Sequence, residues 1–124
     1  MVGKSIHKYL IKNKIGNIIT ATRKKLNLEN FNKVNKFIKD NKPDAIINCA
    51  GKVGGILANN TFPIEFLNEN IAIQTNLIKS SYLNSVENFI NLGSSCIYPK
   101  KSKQPIKESY LLTGSLEKTN EAYA

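Results

Sequence analysis

Short apolar runs that alternate with longer stretches of helical periodicity constrain this chain more than any other feature. Asn17–Thr20 (Asn-Ile-Ile-Thr), Asp44–Asn48 around Ala45-Ile46-Ile47, and Asn88–Leu92 each have the length and apolar character of a short strand. Val2, Ile6, Tyr9 and Leu10 fall on one helical face, which predicts a helix from about Gly3 to Lys12. Gly16-Asn17 is a turn signal. Phe31, Val34, Phe37 and Ile38 mark a second helix, stopped before Lys42-Pro43 because proline disfavours helical backbone in the residue ahead of it. Strand, helix, strand, helix, strand with short connections predicts a parallel sheet covered by helices, the doubly wound α/β class.

Residues 51–63 read as a loop containing glycine and asparagine, and Pro63 suits the first position of the helix that follows. That helix, to about Tyr82, carries two apolar stripes. Ile64, Leu67, Ile71, Ile78 and Tyr82 form one, and Phe66, Ile73 and Leu77 the other. A helix apolar on two faces is expected to be covered on both, by the sheet and by a further helix or a second subunit. The chain opens on a helix with no strand before it and stops at Ala124 inside what reads as a helix start. A doubly wound sheet begins with a strand that feeds a phosphate-binding turn. Residues 1–124 are therefore expected to be one partial domain, cut at both ends, whose first strand and C-terminal substrate subdomain are missing.

Composition narrows the class. With 41% hydrophobic and 22% charged residues the chain is globular rather than disordered. No apolar run approaches the ~20 residues of a membrane span, and no secretory signal opens the chain, so a cytoplasmic protein without a membrane partner is expected. Two cysteines, Cys49 and Cys96, make no disulfide framework. The lone histidine, His7, has no ligand-spaced companions, so no metal is expected. The net charge of +9 comes from lysines spread along the chain, with one arginine, Arg23, and no interleaved aromatics. An AT-rich coding sequence produces the same Lys/Asn bias, so a nucleic-acid partner is not expected.

In a doubly wound sheet, ligands bind beyond the carboxyl ends of the strands. Four segments fall there. Gly3 precedes the first helix, weak evidence by itself. Next comes Arg23-Lys24-Lys25-Leu26-Asn27-Leu28. NAD-preferring domains place an acid here for the ribose 2′-hydroxyl, yet no acid lies between Gly16 and Leu28. Arg23, an always-charged bidentate donor, instead suits the 2′-phosphate of NADP. A solvated basic loop is the plainer alternative. Third, Asn48-Cys49-Ala50-Gly51 ends the strand at 44–48 with small side chains that would let a cofactor approach the backbone, though loop packing explains them nearly as well. Last, Leu92-Gly93-Ser94-Ser95-Cys96-Ile97-Tyr98-Pro99 sets hydroxyls and a thiol at a strand end, where they could bond a substrate carbonyl and move a proton. From spacing alone, a serine-rich turn closed by Pro99 explains it equally well.

Together these segments resemble the extended short-chain dehydrogenase/reductase family, of the NAD-dependent epimerase/dehydratase kind. The likeness is carried by Lys52-Val53-Gly54-Gly55-Ile56 with Ala58-Asn59-Asn60-Thr61, and by Leu92 to Lys100. Gln104-Pro105-Ile106-Lys107-Glu108, Leu111-Leu112-Thr113-Gly114 and Thr119-Asn120-Glu121-Ala122-Tyr123-Ala124 continue it. It runs the length of the chain and covers well under half of such an enzyme. The fold implied is a Rossmann-type domain. The activity implied is that of an NADP-dependent oxidoreductase and epimerase of nucleotide-sugar metabolism, which epimerises GDP-4-keto-6-deoxy-D-mannose at C3 and C5 and reduces its 4-keto group to yield GDP-L-fucose.

On that resemblance Ser94 holds the 4-keto oxygen, Tyr123 protonates it, and Cys96 is the acid/base group of the epimerisation. Arg23 to Leu28 surround the adenosine 2′-phosphate. Gly3 is the last glycine of the phosphate fingerprint, and Cys49, Ala50 and Gly51 run along the adenosine ribose and pyrophosphate. Leu92, Gly93 and Ser95 lie near the nicotinamide, and Asn70 supports the site from the helix behind it. The resemblance also implies a homodimer. The family's two earlier glycines, the lysine four residues past the tyrosine and the partner histidine have no counterpart in these residues. The segment by itself is expected to be inactive and poorly stable, because its sheet lacks an interior strand. Two rival readings stand beside this one: another NADP-dependent nucleotide-sugar epimerase, dehydratase or reductase, and a short non-catalytic protein that binds a nucleotide or a partner.

Overall fold

The computed structural model describes residues 1–124, which divide into two compact units, one of residues 1–50 and 72–92 and one of residues 51–71 and 93–124. The helices are α1 (Val2–Lys12), α2 (Phe31–Asn41), α3 (Ile56–Thr61) and α4 (Pro63–Leu83), and the strands are β1 (Ala45–Asn48) and β2 (Asn88–Asn91).

In the first unit β1 and β2 pair in parallel, Ala45 opposite Asn88 through Asn48 opposite Asn91. Parallel neighbours need a crossover connection, and the helical segment between them provides it. Asn30 starts α2 by accepting the Lys33 N–H at 3.0 Å, and Lys42 ends it in the left-handed conformation just before Pro43. The core of this unit is Leu26, Val34, Ile38, Ile73 and Leu77, with Leu28, Phe37, Ile46, Val86 and Phe89 packed against it. Two asparagines, Asn76 in α4 and Asn84 just after its end, tie this helix to its neighbours: the Asn76 amide donates to the Leu28 carbonyl at 2.9 Å, and the Asn84 amide to Asn35 Oδ1 at 2.8 Å. Helix α1 has no buried residue, although Ile6 and Leu10 on its apolar face are half-covered.

Two expectations need correction. Asn17–Thr20 forms no strand. The sheet holds only β1 and β2, so the Ile18-Ile19 backbone has no ladder to join, and apolar character without a hydrogen-bonding neighbour does not make a strand. Conversely, the segment expected as loop contains α3. Its six residues are closed by their own side chains. The Asn59 amide donates to the carbonyls of Gly54 and Gly55, both at 3.1 Å, and the Thr61 hydroxyl to that of Leu57 at 2.7 Å. Pro63 then opens α4, where its missing N–H costs nothing.

The two stripes of α4 have different fates. Phe66, Ile73 and Leu77 are buried, whereas Ile64, Leu67, Ile71, Ile78 and Tyr82 stay exposed. Nothing in this chain covers the second stripe.

In the second unit, short 3₁₀ turns at Ser95–Ile97, Glu108–Tyr110 and Lys118–Asn120 replace longer elements. The last packs on α3. The stretch between is clasped: the Lys100 N–H donates to the Ser115 carbonyl at 3.0 Å, and the Lys100 ammonium pairs with Glu117. Gly114 lies against Pro99, whose Cβ would be 3.3 Å from a Cβ added there. No helix is long and apolar enough to cross a membrane.

Candidate active site

In the first unit the site begins at the carboxyl ends of the two strands. The Leu92 N–H extends the ladder to the Asn48 carbonyl at 3.1 Å. Asn48, 5% exposed, uses its whole amide to fix this end. Its Nδ2 donates to Asn91 Oδ1 at 2.7 Å and its Oδ1 accepts the Ala50 N–H at 3.0 Å. A buried amide satisfied on both sides holds the backbone in one course. Cys49 and Ala50 follow, both exposed, with Cys49 a free thiol.

Gly3 sits directly against this strand end. A Cβ on Gly3 would lie 3.2 Å from Cys49 Cβ and 3.7 Å from its sulfur, so the absence of a side chain is what lets α1 start here. The first turn of α1 has no side-chain cap. Its free N–H groups and the positive end of the helix dipole suit a phosphate. These residues fit the pyrophosphate of a dinucleotide.

The basic segment of the same unit splits by function. Arg23 is exposed and reaches Glu29 at 3.1 Å, a surface pair that another anion can compete for. Lys24 and Lys25 are exposed, and Asn27 Oδ1 accepts the Glu29 N–H at 3.0 Å. Leu26 is buried in the core and Leu28 packs against it, so their side chains anchor the loop. What the segment offers a ligand is its cations and its backbone. Leu92 is exposed at the end of the ladder.

The second unit holds Ser94, Cys96 and Tyr123. Ser94 caps the turn at Ser95–Ile97, its Oγ accepting the Cys96 N–H at 3.2 Å. That bond occupies a lone pair of the hydroxyl and leaves its proton available to an outside acceptor. Ser94 and Cys96 are half-buried, Gly93 and Ser95 exposed. Gly51 abuts Asn70, whose Oδ1 would be 3.0 Å from a Cβ on Gly51. Asn70 in turn binds the backbone of Lys52 in both directions, accepting its N–H at 2.8 Å and donating to its carbonyl at 3.0 Å. Tyr123 is half-buried, its ring edge-on to Phe66 at 6.3 Å and 83°.

Of the residues singled out from the sequence, the structure places Gly3 beside Cys49, Ser94 beside Cys96, and Gly51 beside Asn70. Arg23 belongs to the first unit, and Ser94, Cys96 and Tyr123 to the second. The sequence marks Asn48 as a strand-end residue beside small ones, Lys52 only as part of the motif at 52–56, Phe66 only as part of an apolar stripe, and Glu69 not at all. In the structure Lys52 and Glu69 form a half-buried ion pair at 2.5 Å. The Lys100 hydrogen bond, the largest cause, and the Thr119 backbone N–H hold the Glu117 carboxyl below the usual range against partial desolvation.

A parallel pair of strands joined through helices, with a glycine that opens a helix against a strand end, is an α/β arrangement of the Rossmann type. The chain belongs to the NAD dependent epimerase/dehydratase family, whose profile matches residues 1–124. It is 48% identical, over all 124 of its residues, to the GDP-L-fucose synthase of Sinorhizobium fredii and covers 39% of that protein. To the GDP-L-colitose synthase of Yersinia pseudotuberculosis it is 43% identical, covering 40%. Among solved structures it resembles MlghC, the GDP-mannoheptose C4 reductase of Campylobacter jejuni with NADP bound: TM-score 0.91, 36% identity, covering 98% of this chain and 38% of that one. The chain thus spans about two fifths of the length of the curated relatives it matches.

Proposed function

We propose that the gene product containing this chain is a GDP-L-fucose synthase, converting GDP-4-keto-6-deoxy-D-mannose to GDP-L-fucose by 3,5-epimerisation and NADPH-dependent 4-reduction. The observation that carries this reading is the Ser94–Cys96 turn. One short segment there presents a hydroxyl whose lone pair is already engaged and a thiol two residues on. The identity to named GDP-L-fucose synthases supports it along the whole chain.

Each residue then has a task. Ser94 donates a hydrogen bond to the 4-keto oxygen, keeping its own proton, and orients the carbonyl. Cys96 serves one face of the epimerised carbons as one of the two acid/base groups that inversion needs. Tyr123 gives its phenolic proton to the keto oxygen as the C4–H bond forms, and recovers it from solvent. Bound NADPH supplies the hydride. Gly3, Cys49, Ala50 and Gly51 let the dinucleotide lie against the backbone, Arg23 with Lys24, Lys25 and Asn27 receives the 2′-phosphate, and Leu92, Gly93 and Ser95 border the nicotinamide. Asn70 holds the loop at Lys52 in place. The exposed stripe of α4 supports a homodimer.

A second reading is a GDP-sugar 4-reductase that does not epimerise, favoured by the likeness to the heptose reductase structure. One experiment separates them: incubate the gene product with GDP-4-keto-6-deoxy-D-mannose and NADPH, and analyse the sugar by NMR. GDP-L-fucose is the expected product. A 4-reduced sugar with unchanged C3 and C5 would select the reductase, and no NADPH consumption would reject both.

A further inference from the structure

We propose that Phe66 is a positioning residue for Tyr123 in the reductive step, and that Gly54 fixes the depth at which its ring sits. The proposal rests on Tyr123 being the proton donor. Of the buried apolar residues, Phe66 alone lies in the second unit, and it stands outside the core cluster. At 3% exposed, its ring is spent on the site instead. One edge contact goes to the Tyr123 ring, at 6.3 Å between centroids and 83° between planes, the T-shaped geometry aromatic pairs prefer. At the ring tip, a Cβ on Gly54 would come within 2.8 Å of Phe66 Cζ, so only glycine lets the tip settle that far. Above, the Lys52 ammonium stands 5.5 Å from the ring centroid, itself held by Glu69 at 2.5 Å. The ring is thus bounded by backbone, a fixed cation and the tyrosine.

A proton donor acts only when its oxygen meets the developing alkoxide at hydrogen-bonding distance, and small misplacements are costly. The Phe66 ring meets the Tyr123 ring in that edge contact.

The test uses the whole gene product with NADPH and the keto sugar. Phe66→Met keeps volume and apolarity but removes the ring. We expect kcat to fall about 10- to 100-fold, the KM for NADPH to stay near its starting value, and the Tyr123 ring resonance, identified by its loss in Tyr123→Phe, to shift. A parental kcat in Phe66→Met, alongside an inactive Tyr123→Phe, overturns the positioning role and leaves the reading of Tyr123 intact. Full activity in Tyr123→Phe overturns both. A fall in kcat that merely tracks loss of folded protein also overturns the positioning role. If Phe66→Met does not fold, Gly54→Ala displaces the same ring at its tip. The same fall in kcat is then expected, and an unchanged kcat is fatal to the proposal.

Discussion

Asn70 and Lys52 are joined by a reciprocal pair of hydrogen bonds, Lys52 N–H to Asn70 Oδ1 at 2.8 Å and Asn70 Nδ2 to the Lys52 carbonyl at 3.0 Å. One amide thus satisfies both polar groups of a loop residue that no strand would pair, and also reaches the Phe66 carbonyl at 2.8 Å. Asn70→Leu strands the loop's N–H and C=O in a half-buried place, at a cost of about 1–3 kcal/mol. Asn70→Asp keeps the acceptor and should cost less. Urea unfolding of the gene product checks the order, and equal midpoints for Asn70→Leu and the parent would refute it.

Gly3 and Cys49 allow a cleaner test of the dinucleotide cradle. Since a Cβ on Gly3 would meet Cys49 Cβ at 3.2 Å, Gly3→Ala pushes α1 from the strand end and moves its N–H groups from the phosphates. NADPH affinity measured by titration should fall about 10-fold, the equivalent of ~1.4 kcal/mol. Adding Cys49→Gly removes the atom in conflict and should restore part of the loss. No coupling between the two changes would mean the contact is irrelevant to binding.

For Arg23 the expected effect is on cofactor choice. Its bond to Glu29 is at the surface, where an ion pair contributes little. A charge-assisted bond to the 2′-phosphate is worth about 1.5–3 kcal/mol. Arg23→Ala should therefore raise the KM for NADPH about 10- to 100-fold while the KM for NADH moves little. Equal effects on the two cofactors would place the 2′-phosphate elsewhere.

Much of this was legible in the sequence because it depends on local rules. Lys42-Pro43 ended α2 and Pro63 began α4 where proline chemistry requires, and Ala45-Ile46-Ile47 announced β1. The failures came from partners that a local pattern does not contain. Asn17–Thr20 has a strand's composition and no neighbouring strand to bond. Ile56–Thr61 is helical where it packs on the turn at Lys118–Asn120, a contact with residues far along the chain that composition does not show. The site divides the same way. Ser94, Cys96 and Tyr123 stand out by chemistry and motif, whereas Asn48, Phe66 and the Lys52–Glu69 pair matter through contacts that only coordinates reveal. The asparagines show this best. Read as a compositional bias, several prove to be specific ties: Asn48 at the strand ends, Asn70 at the loop, Asn76 in α4 and Asn84 just after it.

The clasp between Lys100 and Glu117 carries a pH dependence whose sign is fixed. Lys100 holds the Glu117 carboxyl below its usual range, so the folded state binds that proton less readily than the unfolded chain does. The clasp therefore contributes fully above the unfolded carboxylate range and is lost as pH falls through the lower, folded value. Glu117→Gln removes the effect at every pH. Limited proteolysis across residues 100–117 should show the parent better protected than Glu117→Gln at neutral pH and the two converging in acid. Salt should narrow the neutral-pH gap, since the pair lies at the surface. A gap that widened on acidification would have the wrong sign for a carboxylate held charged, and would move the origin of the protection to another group.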